Sequence, residues 1–326
     1  MVLCAGYGKR LLPLTRSRAK PAIPFLNKPF INHVLEKLSD AGIKDIVANL
    51  HHLPDTVRAL TQSFPPGMDV HFVEEEGQIL GTAGGLKNAQ KFLKHETFLL
   101  INSDIFFTID LTKALRFHRD VGSAATMVLM RNPDIKAFSP VFIDAGQRLI
   151  QLAGRPEIVR PDPDSPPLLF TGIHILQSEI FDYIPEDTPF EIAIQVYPQM
   201  IQENRPVYGY VTEDFWCEAG TLSRYISSTA AALDTLGLEG LVASGADLSA
   251  GAQVDASSVI GPGCRVGSGA EISSSILLGQ VTIGAEAVVE NAILDEGVVI
   301  QNGQRVRNQC LSLAPGTGEL ICVETG

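Results

Sequence analysis

Two glycines and a run of basic residues near the amino terminus form a pattern that fits the binding of a polyanion. Gly6 and Gly8 follow an apolar run, residues 1–5, that is typical of a buried strand. Glycine lets the backbone turn tightly, so that main-chain amides approach an anion closely. The formal net charge of the chain is −12, so positive charge is concentrated here against the overall trend. Arg10, Arg16, Arg18 and Lys20 follow with no acidic residue among them.

The spacing of this segment excludes two common phosphate-binding loops. A dinucleotide-binding turn needs a third small residue where Leu11 stands. A Walker A loop needs Gly-Lys-Ser/Thr, and this chain has Gly8-Lys9-Arg10. A bare Gly-x-Gly also occurs in purely structural turns, so the glycines alone leave both readings open.

The elements around this segment alternate between strand-like and helical patterns. Strands are predicted over 45–50, 70–74, 98–101 and 124–129. Helices are predicted over 29–39, 54–62, 86–93 and 111–119. This alternation predicts a mainly parallel α/β sheet, in which ligands bind beyond the carboxyl ends of the strands.

Two features stand just after such strands. Asp104 ends the fourth apolar run, where a carboxylate can hold Mg²⁺ against nucleotide phosphates, although a lone Asp is also common as a helix cap. Gly81, Gly84 and Gly85 open a helical pattern after the third run, which indicates either a bulky ligand beside them or a simple helix start.

The longer string Gly6-x-Gly8-x-Arg10-Leu-x-Pro-Leu-Thr15, with Lys20-Pro and Pro-Phe25 after it, resembles the signature of the sugar-phosphate nucleotidylyltransferases, or NDP-sugar pyrophosphorylases. Residues 80–85, Leu-Gly-Thr-Ala-Gly-Gly, most closely resemble the corresponding sequence of mannose-1-phosphate guanylyltransferases. The resemblance implies an enzyme that joins an NTP to a sugar 1-phosphate, most simply GTP and mannose 1-phosphate, and releases pyrophosphate with Mg²⁺ as cofactor. It implies a Rossmann-like mixed, mainly parallel sheet flanked by helices.

The resemblance also implies a role for each matching residue. Arg10 would contact the leaving pyrophosphate, and Lys20 would stabilise charge at the α-phosphorus. The residues implied to contact the nucleotide are Ala5, Gly6, Gly8, Gly81 and Thr82. Those implied in sugar-phosphate binding are Arg155 and Gly172. Those implied as magnesium ligands are Asp104 and Glu218.

The chain departs from the family pattern at three positions. Ser103 precedes Asp104 where Gly is usual, Gly154 replaces the glutamate of Glu-Lys-Pro, and Glu218 stands where the family has aspartate. These departures leave two alternatives open: a catalytically weak regulatory or scaffolding subunit that binds nucleotide sugar, or the same chemistry with UTP or dTTP and another hexose 1-phosphate. His174, between apolar neighbours, is interpreted as a packed strand residue.

A six-residue apolar repeat begins near Leu248 and continues through Leu278, and it resumes at Ile283 after a one-residue slip. Such a repeat, with small residues between, predicts a parallel β-helix of about three triangular coils, left-handed by resemblance to hexapeptide domains. The predicted domains are therefore 1–236, the catalytic domain, and 237–326, the β-helix with its tail. Histidine-based acyl transfer is excluded there because all seven histidines lie at or before His174. We expect packing or homo-oligomerisation instead.

Composition limits the remaining possibilities. The acidic balance disfavours nucleic acid, and the absence of a long apolar segment or secretion signal predicts a cytoplasmic protein without membrane contact. Five widely spaced cysteines argue against disulfides or a zinc site and are expected to be buried thiols.

A proline-rich loop is expected over 161–167 and a helix over 190–202. The native start is expected to lie upstream of Met1, because relatives of this type carry a few more residues there.

Overall fold

The computed structural model describes residues 1–94, 96–157 and 165–326. Most of the proline-rich loop predicted over 161–167 lies outside these residues. The chain forms an α/β part followed by a β-helix, as the sequence predicted.

The α/β part is built on one nine-stranded mixed sheet. Seven strands lie side by side in the order Leu149–Leu152, Val141–Ile143, Leu168–Leu176, Phe98–Asn102, Val2–Leu3, Asp45–Leu50 and Asp69–Glu74. The other two are Ala125–Arg131, which pairs with Leu168–Leu176, and Val207–Val211, which pairs with Ala125–Arg131. Two small antiparallel pairs lie outside this sheet: Pro24–Phe25 with Lys28–Pro29, and Ile105–Phe107 with Trp216–Glu218.

The amino-terminal strand Val2–Leu3 lies at the centre of the sheet, parallel to both of its neighbours. Asp45–Leu50 is buried over five of its six residues, and Phe98–Asn102 over four of its five. Strands covered on both faces need continuous apolar runs, which explains why the sequence showed runs rather than alternation. The carboxyl ends of these three strands therefore meet at one edge.

Helices cover the sheet near the predicted positions, but the helix predicted over 54–62 ends at Arg58 and the one predicted over 86–93 begins at Gly81 and is divided in two. They are Phe30–Asp40, Pro54–Arg58, Gly81–Asn88, Gln90–Leu93, Leu111–Asp120, Tyr197–Gln202 and Leu222–Thr235. Phe30–Asp40 buries Ile31, Val34, Leu35 and Leu38, the apolar stripe that predicted it. The helix predicted over 190–202 is instead a π-helical turn, Ile192–Val196, that leads into Tyr197–Gln202.

The carboxy-terminal part is a parallel β-helix with three sheets. The first sheet contains Leu241–Val242, Val259–Ile260, Ile276–Leu277, Ile293–Leu294 and Gln309–Leu313. The second contains Asp247–Leu248, Arg265–Val266, Thr282–Ile283 and Val299–Ile300. The third contains Gln253–Val254, Glu271–Ser273, Val288–Glu290 and Arg305–Arg307. The prediction of about three coils was too low, because each sheet contains strands from at least four successive coils.

The one-residue slip in the repeat falls earlier than the sequence indicated. Leu241 pairs with Val259, 18 residues on, but Val259 pairs with Ile276, 17 residues on. Leu277 consequently lies in the β-helix interior, whereas Leu278, predicted to point inward, packs in a cluster shared with the α/β part. The tail forms Leu320–Glu324, which adds an antiparallel strand to the first sheet.

The five cysteines are free thiols, and four are buried as expected. Cys322 is exposed, because it lies on the outermost strand of the first sheet. His174 is buried and bonds the Tyr197 hydroxyl through Nδ1 at 2.7 Å, and burial lowers its pKa to about 3, so it is a packing residue as interpreted. Among the described residues, no helix is long and apolar enough to cross a membrane.

Candidate active site

A cavity of about 410 Å³ opens where the carboxyl ends of the central strands meet. Its walls come from the glycine segment after Val2–Leu3, the turn after Phe98–Asn102 and the start of helix Gly81–Asn88. The predicted site residues that line it are Ala5, Gly6, Gly8, Arg10, Lys20, Gly81, Thr82 and Asp104. Segments about 100 residues apart in the sequence therefore form one site.

The second glycine of this segment, Gly8, has a backbone conformation that requires glycine. Gly8 has a φ of 62°, and a Cβ at this position would lie 2.7 Å from the methyl group of Thr15. The Thr15 hydroxyl donates a hydrogen bond to the Gly8 carbonyl at 3.1 Å and closes the turn. A Cβ on Gly6, by contrast, would meet no atom within 4 Å, so Gly6 borders open space.

Lys20 and Asp104 form an ion pair in the cavity wall. Their side chains are 14% and 20% exposed, so both charges are partly shielded from water. Lys20 begins a short 3₁₀ turn, Lys20–Ala22, and Asp104 follows the strand Phe98–Asn102. The residue predicted to contact the α-phosphate, Lys20, thus lies directly beside the predicted magnesium ligand Asp104.

Glu218 does not itself line the cavity, but backbone pairing places it next to Asp104. Trp216–Glu218 runs antiparallel to Ile105–Phe107 with Glu218 opposite Ile105, and the Ala219 amide donates to the Asp104 carbonyl at 3.3 Å. The Glu218 carboxylate is ion-paired with Arg224 and is folded against Gly220, which lines the cavity.

These two carboxylates fit a magnesium site by the chemistry of their donors. Mg²⁺ is usually held by one or two carboxylates together with substrate phosphates and water. The described residues contain no group of three or more His, Cys, Asp or Glu arranged to hold a metal by themselves. Asp104 and Glu218 would therefore hold the ion only together with the substrate.

The sequence predicted one anion site for Arg10, Arg16, Arg18 and Lys20, but the structure does not bring all four together. Arg10 is exposed at the cavity and Lys20 lies in its wall. Arg16 is exposed and does not line the cavity, and Arg18 turns to Asp295 of the β-helix. The difference arises because Arg18, which lies between two short 3₁₀ turns, is paired with carboxylates of the β-helix instead of the cavity.

The residues predicted for the sugar phosphate also lie outside the cavity lining. Arg155 is exposed in a turn after Leu149–Leu152, at the far edge of the sheet. Gly172 has a φ of 85°, and a Cβ there would lie 2.7 Å from Nδ2 of Asn102, which does line the cavity. Gly172 is therefore required to make room for Asn102 behind the site.

Comparison with known proteins identifies the family. A family model described as "Nucleotidyl transferase" matches residues 1–235, and a model described as "GlmU-like, C-terminal hexapeptide" matches residues 228–309. The chain belongs to the nucleotidyl transferase family.

Curated relatives differ in the base and sugar that their names state. A mannose-1-phosphate guanylyltransferase of Mycobacterium tuberculosis is 29% identical over 95% of this chain and 82% of its own length. A UTP–glucose-1-phosphate uridylyltransferase of Synechocystis is 28% identical, and this chain spans 61% of that protein. Mannose-1-phosphate guanyltransferase 2 of Candida glabrata is 30% identical, and 65% of it is spanned.

A solved structure shows the same fold over about two thirds of the chain. HddC from Yersinia pseudotuberculosis superposes with a TM-score of 0.58 at 24% identity, covering 69% of this chain and 95% of that one. The same protein complexed with GMP-PN gives a TM-score of 0.58 at 23% identity.

Two buried polar residues of this nucleotidyl transferase were missed at the level of sequence. Asn49 accepts the Cys4 amide at 2.9 Å through Oδ1 and donates to Oε1 of Glu75 at 2.6 Å. Oε2 of Glu75 accepts the Leu80 amide at 2.7 Å. Both residues line the cavity, although they are only 2% and 3% exposed. The one available signal was a polar residue inside the apolar run 45–50.

The glycine cluster near this pair serves packing within the protein rather than leaving space for a ligand. A Cβ on Gly84 would lie 2.7 Å from the Thr188 carbonyl, and one on Gly85 would collide with Glu75. A Cβ on Gly81 would lie 2.6 Å from the Glu191 carboxylate. The helix Gly81–Asn88 therefore approaches its neighbours at a distance that only glycine permits.

Two further cavity residues have defined structural parts. The Ser103 hydroxyl donates to the Leu3 carbonyl at 2.6 Å, so the serine at the family's glycine position ties the Asp104 turn to the first strand. Burial raises the pKa of the Cys4 thiol to about 12. Cys4 is therefore protonated near neutral pH and does not act as a nucleophile.

Proposed function

We propose that this chain transfers a nucleotidyl group from an NTP to a sugar 1-phosphate and releases pyrophosphate, with GTP and mannose 1-phosphate as the preferred pair. The observation that carries the proposal is the meeting of Gly8, Arg10, Lys20 and Asp104 in one cavity at the carboxyl edge of the sheet, in a chain of the nucleotidyl transferase family. Glycine amides and cations there suit a triphosphate.

The chemistry needs no covalent intermediate on the protein. A phosphate oxygen of the sugar 1-phosphate forms a bond to the α-phosphorus, and the bond from that phosphorus to the oxygen of the leaving pyrophosphate breaks. Lys20 would neutralise negative charge that develops on the α-phosphate oxygens, and Arg10 at the rim would bind the leaving pyrophosphate. When bound, Mg²⁺ supplies divalent charge to the phosphates, and Asp104 and Glu218 are the residues that would hold it.

The preference for guanine rests on Glu75. An ionised carboxylate only accepts hydrogen bonds, and guanine presents two adjacent donors, its N1–H and its amino group, whereas uracil places one donor between two carbonyl oxygens. Glu75 lines the same cavity as Gly81 and Thr82. Each of its carboxylate oxygens accepts one hydrogen bond, from Asn49 and from the Leu80 amide, and each can accept a second. The name of the mycobacterial relative, which matches 95% of this chain, supports the same choice.

A second candidate is the same reaction with UTP and glucose 1-phosphate, favoured by the name of the Synechocystis relative. A third is a nucleotide-sugar-binding subunit with weak turnover, favoured by the pairing of Glu218 with Arg224, which occupies one carboxylate.

A pyrophosphate-release assay separates these candidates. The full chain is given GTP, UTP or dTTP with mannose 1-phosphate or glucose 1-phosphate in the presence of Mg²⁺. The proposal expects the highest kcat/KM for GTP with mannose 1-phosphate and loss of turnover in Asp104→Asn, with the exposed Asp182→Asn as the matched control. Preference for UTP supports the second candidate, and nucleotide binding without turnover for any pair supports the third.

A further inference from the structure

The segment that carries the predicted phosphate contacts has little regular structure of its own. Between Val2–Leu3 and Phe30–Asp40 it contains three 3₁₀ turns of three residues each, Lys9–Leu11, Leu14–Arg16 and Lys20–Ala22. Such short turns are weakly stable alone, so tertiary contacts must fix the position of Lys20.

One of these contacts is a charged link from this segment to the β-helix. Nη2 of Arg18 lies 3.0 Å from Oδ1 of Asp295 and 3.5 Å from the Glu296 carboxylate. Asp295 is itself fixed, because its Oδ2 accepts the Ser312 hydroxyl at 2.6 Å and its Oδ1 accepts the Glu296 amide at 2.8 Å. The Arg18 and Asp295 side chains are only 16% and 5% exposed, so water screens this pair little.

Other contacts hold the same segment against the carboxy-terminal half. Asn27 donates to the Ile260 carbonyl at 3.0 Å, and the Tyr225 hydroxyl donates to the Pro24 carbonyl. A shared apolar cluster lies beneath them. From the segment it contains Leu11, Leu14, Ile23 and Phe25, and from the β-helix Val259, Ile276, Leu278, Ile293 and Cys310.

We propose that Asp295 is a positioning residue for the reaction, which holds Lys20 against Asp104 by binding Arg18 two positions earlier in the chain. The β-helix thereby completes the catalytic domain in addition to packing against it. This inference rests on the proposed function, because it assigns a consequence to the position of Lys20.

Arg18 links the segment to the β-helix and is not a phosphate ligand. It does not line the cavity, and its guanidinium is directed to two carboxylates of the β-helix. Binding phosphate would require Arg18 to leave Asp295 with its Oδ1 charge unpaired in a buried position, which is costly.

The test measures kcat and KM in the full chain for the best substrate pair of the wild type. Arg18→Gln and Asp295→Asn remove the contact from opposite sides, and each is expected to lower kcat about 10- to 100-fold with little change in the KM for the NTP. The kcat of the double variant is expected to be no lower than that of the less active single variant, because both substitutions remove the same contact. Arg18→Lys, which keeps the charge, should retain more activity than Arg18→Gln. The exposed Asp247→Asn on the same β-helix is the matched control and should leave kcat unchanged.

A second measurement separates positioning from general instability. Amide hydrogen exchange over residues 18–23 should be faster in both single variants while the strands of the central sheet keep wild-type protection. Unchanged kcat, additive effects in the double variant, or unchanged exchange over 18–23 would each overturn the inference. If the wild type turns over no substrate pair, the proposed function fails, and the exchange experiment still decides whether Asp295 fixes this segment.

Discussion

Replacing Lys20 by methionine tests the electrostatic core of the site, because methionine keeps much of the side chain's length and removes its charge. Lys20 pairs with Asp104 in the cavity wall with 14% of its side chain exposed, so its charge acts in a partly dehydrated setting. Removing one preorganised donor from the developing negative charge costs roughly 2.7–4 kcal/mol of transition-state stabilisation, which predicts a fall in kcat of about 10²–10³-fold. The KM for the NTP should change much less, because the charge in question develops after binding.

The assay is pyrophosphate release over a range of NTP concentrations at saturating sugar 1-phosphate, which gives kcat and KM, together with thermal unfolding. Lys113→Met is the matched control: Lys113 is 70% exposed on helix Leu111–Asp120 and lies 3.7 Å from Asp110. Loss of the Lys20–Asp104 pair should lower the free energy of unfolding by about 1–3 kcal/mol, which leaves the protein folded at 25 °C. A Lys20→Met enzyme that keeps its kcat within about threefold of wild type, or that loses only affinity, contradicts the role given to Lys20.

Three further predictions concern the glycine turn, the metal and the buried thiol. Gly8→Ala should weaken GTP binding in calorimetry and lower the free energy of unfolding by about 1–3 kcal/mol, because alanine is strained at a φ of 62° and its methyl group meets Thr15; unaltered affinity would contradict this. EDTA should abolish turnover and added Mg²⁺ should restore it, with Glu218→Gln requiring more Mg²⁺ for half-maximal rate; full activity in EDTA counts against the two carboxylates as ligands. Iodoacetamide at about pH 8 should label the exposed Cys322 and spare Cys4, whose pKa of about 12 keeps it protonated, so that turnover survives; labelling of Cys4, read by peptide mass, is the opposing result.

The local pattern of the sequence determined most of the elements, although some of their ends differ from the prediction, as at Arg58 and Gly81. The stripe of Ile31, Val34, Leu35 and Leu38 predicted its helix, because a period of 3.6 residues shows directly which side of a helix is buried. The six-residue repeat predicted the β-helix for the same reason, and the position of Asp104 after an apolar run predicted its place at the carboxyl edge of the sheet. These features depend on spacing between near neighbours, which a single sequence contains.

Contacts between distant segments were decided only by the tertiary structure. No periodicity relates Asn49 to Glu75 or Arg18 to Asp295, yet each pair meets through buried hydrogen bonds or charges. The partner of a polar side chain is the polar group that the fold brings within about 3 Å of it. The alternation of strands and helices does not specify which group that is. For the same reason the sequence placed Arg16 and Arg18 at the phosphate site by charge alone, whereas in the structure neither lines the cavity and Arg18 pairs with Asp295.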